Sequence, residues 1–107
     1  MVVKLRTDRP DEVLKQIVQA LKKYNVAHPR AKIEVYRQNS VSVRVRVIAS
    51  EFKGTGRAER EDNMWPILEE LPEEVMAEIS LLLMFTPDEA KKSFANMEFD
   101  NPVPSLL

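Results

Sequence analysis

The chain has no cysteine, one histidine and only two glycines among its 107 residues. Without thiols there is no disulfide framework, no thiolate zinc site and no cysteine nucleophile. A single histidine, His28, leaves almost nothing for an imidazole metal site or a catalytic triad. It lies between a helix and a strand beside Pro29, where a histidine is ordinarily solvated or hydrogen-bonded. Internal repeats and low-complexity tracts are missing, and no apolar run approaches the ~20 residues of a membrane span. The opening MVVKLRTDRP lacks the apolar stretch of a secretory leader, so the cytoplasm is the expected compartment and no membrane partner is expected. Phosphate-cradling loops, nucleophile–base pairs and metal motifs are absent too, so the sequence predicts neither an enzyme nor a cofactor.

What remains is 44% hydrophobic and 31% charged, the balance of an ordinary globular domain with a single core. The net charge of −1 hides a division: residues 1–57 hold 13 Lys/Arg against 5 Asp/Glu, whereas 58–107 hold 3 against 12. The halves of one small domain interleave and neutralise each other. A nucleic-acid face is the other reading, although strong phosphate binding usually brings a net basic domain.

A helix start is signalled by Asp8, Pro10, Asp11 and Glu12, with Asp8 as cap. Val13, Leu14, Ile17, Val18 and Leu21 repeat at three and four residues and form one apolar stripe. Asn25 is expected to end the helix in a left-handed conformation, and Pro29 confirms the stop. Residues 31–37 alternate, with Ile33 and Val35 on one face. Val41, Val43, Val45 and Val47 alternate in turn, so a hairpin forms around 38–40. Facing residues share a side of the sheet, and a three-residue loop sets Val35 opposite Val43 and Glu34 opposite Arg44. The polar face then carries Lys32, Glu34, Tyr36, Arg44 and Arg46.

Both glycines, Gly54 and Gly56, fall between that hairpin and a charged helical stretch over 57–64. Pro66 predicts a break at Trp65 or a second helical piece there. Trp65 itself, with Met64 and Ile67, suits the core better than a partner contact. Pro72, Glu73 and Glu74 restart a short helix. ISLLLMF, 79–85, reads as a strand buried on much of both faces. Thr86-Pro87-Asp88-Glu89 caps a last helix to about residue 96. The tail, with Phe99, Val103, Leu106 and Leu107, is too apolar to be simply solvated and is expected to cover a sheet face or edge. Helix, strand, strand, helix, helix, strand, helix gives an α+β sandwich of two layers, with helices on one face of a three-stranded mixed sheet. One domain spans 1–96, and 97–107 form a tail packed on it. Apolar 79–85 leaves open a choice between self-covering and a homodimer through an exposed edge.

This order, together with particular residues, resembles the BolA family, whose fold is related to the second class of KH domain. The family's hallmark strand ends on serine, phenylalanine and glycine, here Ser50, Phe52 and Gly54. Arg57, Glu59, Arg60, Met64 and Leu68 then resemble its following helix, and Ser80 with Thr86-Pro87-Asp88-Glu89 its last strand and cap. The likeness covers roughly residues 10–95. It implies an accessory role beside monothiol glutaredoxins in iron–sulfur cluster handling. The family's histidine ligand, however, falls on Glu61, and the loop at 38–40 holds neither histidine nor cysteine. A carboxylate is a hard ligand that serves such a cluster poorly, so the resemblance implies an interaction protein without the family's metal ligation.

Among the remaining candidates, Glu59, Glu61 and Asp62 read first as complements of a helix dipole and only second as a weak cation site. Lys32, Tyr36, Arg44 and Arg46 make a basic face with one aromatic, suited to a nucleic-acid backbone and one stacked base. Arg57 and Arg60 extend the set of expected partner or nucleic-acid contacts. Gly54-Thr55-Gly56-Arg57 is not the Gly-x-x-Gly spacing with which a KH domain clamps a backbone. The sequence therefore predicts a non-enzymatic BolA-like interaction protein, with a KH-like nucleic-acid binder as the alternative.

Overall fold

The computed structural model describes residues 2–5, 11–93, 97, 99 and 100. Four strands form one mixed sheet, in the order β1 (Val2–Leu5), β2 (Lys32–Asn39), β3 (Ser42–Ile48) and β4 (Ile79–Phe85). The helices are α1 (Glu12–Ala27), α2 (Arg57–Leu68), α3 (Glu73–Met76) and α4 (Pro87–Lys92), with a 3-10 turn at Ser50–Phe52. The α+β class stands, but the sheet has four strands where the sequence predicted three. The addition is β1, parallel to β2 with Val3 beside Ile33 and Leu5 beside Val35. Four residues are too few for alternation to announce a strand; β1 forms because a neighbouring edge is there to receive it.

Asp11 caps α1, its Oδ1 accepting from the Leu14 N–H at 2.8 Å. The predicted cap, Asp8, lies outside the described residues. Asn25 does not end the helix. It stays helical and buried, and its Nδ2 donates to His28 O at 3.0 Å and Ala31 O at 3.1 Å, so its side chain holds the turn that its backbone was expected to make. Pro66 does not break α2 either. It sits on the exposed side, where the missing N–H leaves only the exposed Asp62's carbonyl unserved and water can replace it.

The hairpin pairs Val35 with Val45, Glu34 with Arg46 and Tyr36 with Arg44. Valine does face valine, but two residues away from the predicted register. The turn lies at Ser40–Val41, Val41 is 67% exposed, and a bulge between Arg37 and Asn39 restores the parity that a two-residue turn would invert. Arg37 fixes that irregularity. It donates to Asn39 O and Ser40 O at 3.2 and 3.1 Å and pairs with Asp11 and Glu78, each at 2.8 Å.

The core lies between the sheet and α1 and α2: Leu14, Ile17 and Leu21 meet Ile33, Val35, Val45, Val47, Met64 and Leu68, all at most 1% exposed. Trp65 packs half-buried at its margin. On the opposite face a smaller cluster joins Tyr36, Leu83 and Phe99; Phe99, itself in helical backbone, is wholly buried there, so helical residues lie on both faces of the sheet where the sequence predicted one. Tail residues 101–107 lie outside the described residues. No helix among the described residues is long and apolar enough to cross a membrane.

Candidate functional site

Gly54 takes φ +83°, the left-handed region that favours glycine, and turns the chain from Ser50–Phe52 toward α2. Gly56 is the N-cap of α2 in ordinary extended backbone, with no side-chain cap bond. This turn drops the first turn of α2 against β4. Arg60, 8% exposed, is the connection. Its Nη1 donates to Met84 O at 2.9 Å, Nη2 to Phe52 O and Thr55 O at 3.0 and 2.9 Å, and Nε to Thr55 Oγ1 at 3.1 Å. The guanidinium also forks onto the Glu89 carboxylate of α4 and lies 5.3 Å over the Phe52 ring. Glu89 closes the capping box with Thr86 as well. Arg60 first, and then the Thr86 N–H, hold its carboxyl down at about 2.

Beside this knot runs a groove of about 620 Å³. Its floor is residues 81–85 of β4, and its walls are the start of α2 (Gly56, Arg57, Glu61) and α4 (Glu89, Lys92). Glu61, the position of the family histidine in the BolA resemblance, is half-buried on that wall. Arg57 and Lys92 are exposed at the rim. A smaller hollow of about 140 Å³ opens on the other side of α2, between His28, Glu51, Glu59 and Asn63. There His28 Nδ1 lies 3.0 Å from Glu51 and its ring stacks on Tyr24 at 4.3 Å. Among the described residues no three His, Cys, Asp or Glu side chains gather as metal ligands. Glu59, Glu61 and Asp62 accordingly diverge around the helix, Glu59 to one hollow and Glu61 to the other.

The predicted contact residues divide. Lys32 and Arg57 are exposed. Arg46 is 6% exposed, paired with Glu34 and with Asp100 at 2.9 Å, and stacked 4.6 Å over Phe99. Tyr36 is 8% exposed, meets Phe99 edge-on at 4.7 Å, and accepts from Arg44 Nη1 at 3.3 Å. Arg60 is engaged as described. The face of the sheet opposite α1 therefore offers no bare ring for a base, because Phe99 lies on it. Sequence reasoning missed the groove and the second duty of Glu89. The Thr86-x-x-Glu89 capping signature was visible, but nothing local announces that the same carboxylate reaches Arg60, 29 residues away. Comparison with family models, curated proteins and solved structures matches the chain to none of them.

Proposed function

We propose that the chain is a non-enzymatic interaction domain of BolA-like kind that docks a partner protein at the groove between α2, β4 and α4. One observation carries this reading: an apolar strand, ISLLLMF, stands at the sheet's border with an open groove along it rather than a helix over it. A strand of that composition is a liability unless something covers it. The resemblance in Ser50, Phe52, Gly54, Arg57 and Arg60 supports a monothiol glutaredoxin-type protein as the partner, and Glu61 supports docking without cluster ligation.

Calorimetry of the purified chain against a monothiol glutaredoxin tests the reading. A one-to-one binding heat that weakens in Arg57→Glu, with no cluster absorbance from this chain alone after reconstitution, is the expected result. Absence of heat, with salt-sensitive binding of single-stranded RNA in its place, overturns it in favour of the KH-like alternative.

A further inference from the structure

The groove's floor is a strand edge, and that edge constrains what fits. Phe85 O accepts from the Ala49 N–H at 2.9 Å, on the side of β3, whereas Met84 O accepts from Arg60 on the opposite side. Backbone groups alternate along a strand, so the Leu82 N–H and C=O and the Met84 N–H point away from β3 into the groove. Alternation restarts at Ser80, where β4 bulges between the Val43–Ile79 and Arg44–Leu81 pairs. Among the described residues no strand pairs with this side of β4.

We infer that the partner presents an extended peptide segment, apolar at alternate positions and bearing a carboxylate, which adds to β4 as a further strand. This rests on the groove being the docking surface proposed above. Residues 81–84, up to the carbonyl that Arg60 occupies, give at about 3.3 Å each a slot of ~13 Å, the length of a short strand. Arg60 closes one end, because its Nη1 already occupies the Met84 carbonyl. The walls disfavour a second copy: its β4 would arrive flanked by its own α2 and α4, while ladder pairing needs strands about 4.8 Å apart. A lone chain segment passes between the walls. Charge selects further. Arg60 and Glu89 neutralise each other, leaving Arg57 and Lys92 against Glu61, one positive charge in excess and neither cation in an ion pair among the described residues.

The probe is a terminally blocked seven-residue peptide alternating valine with threonine and aspartate, titrated into isotope-labelled chain. Amide exchange at Leu82 and Met84 is expected to slow by about tenfold or more at saturation, since only those donors are recruited. N-methylating the peptide's alternate amides abolishes binding, and Arg57→Glu with Lys92→Glu weakens it by about fivefold without moving the unfolding midpoint. Spectral shifts centred away from β4, or equal binding of the N-methylated peptide, overturn the inference. So does protection of Leu82 and Met84 that rises with protein concentration alone, the mark of a second copy. Protection in the dilute free chain that is lost on truncation after Asp100 overturns it as well, in favour of the chain's own tail. If a glutaredoxin binds and the peptide does not, strand addition falls and the docking reading stands; if neither binds, both fall.

Discussion

Arg60 shows how a charge becomes structure. A buried guanidinium stabilises only when its donors are all met, and here carbonyls from the Phe52 turn and β4 and a carboxylate from α4 meet them. Arg60→Ala takes the donor from Met84 O and opens a gap beneath α2, although Phe52 O keeps the Thr55 N–H and exposed Glu89 keeps the Thr86 N–H; a loss of about 2 kcal/mol is expected in urea unfolding. Glu89 adds a pH signature. Its carboxyl sits near 2 in the folded chain, below the ordinary carboxylate value of about 4.3 in the unfolded one. Its stabilisation is therefore complete above that ordinary value and disappears as pH falls toward 2. Asp11, lowered first by the Leu14 N–H and then by Arg37, acts in the same direction. Glu89→Gln is expected to flatten the stability–pH curve in that acid window, with little change of slope at neutral pH. Tyr24 presents the opposite case. Its hydroxyl is buried with no hydrogen-bond partner among the described residues, and burial, with Glu51 nearby, pushes it up to about 12. Tyr24→Phe should thus be neutral or stabilising by up to about 1 kcal/mol, read from the denaturation midpoint.

At the level of the element, the sequence is most legible where periodicity and caps coincide. The apolar stripe of α1, the Thr86 capping box and the whole of β4 are readable because each is encoded by residues within a turn or two of one another. Legibility fails where a distant group decides. Asn25 was free by propensity to end α1, but two carbonyls beyond the helix claim its amide. The hairpin's valine-on-valine pairing followed from alternation, whereas the bulge that sets its register depends on Arg37 reaching Asp11 and Glu78. β1 could not be read because its partner edge exists only in the folded sheet. The groove was hidden for the same reason, since its walls and floor are brought together by contacts distant in sequence, those of Arg60 among them. Pro66 carries a direct test at this scale. Its exposed position suits alanine, which would restore the N–H to the Asp62 carbonyl. Pro66→Ala is expected to raise stability by roughly 1 kcal/mol, the gain in helix propensity being offset in part by a freer unfolded chain.

Across the whole molecule, the basic and acidic halves of the chain are drawn together. Lys23 meets Glu70, Arg37 meets Glu78 and Arg46 meets Asp100. These contacts turn a segregated sequence charge into a surface of mixed sign, and the last of them closes the face of the sheet opposite α1. Phe99 is the clamp there, buried between Tyr36, Leu83 and the Arg46 guanidinium. If that clamp is what keeps the basic strands from presenting themselves to phosphates, removing it should expose the alternative function. Phe99→Ala is expected to cost about 3 kcal/mol in unfolding free energy. In the fraction still folded, single-stranded RNA should bind more tightly at low salt than it binds the parent chain. Its affinity should then fall steeply as salt rises, because Arg44, Arg46 and Lys32 would be the groups displacing counterions. Equal RNA binding by parent and variant, measured by anisotropy across a salt series, would show that the tail shields nothing. The groove along β4 would then carry the functional reading without that alternative.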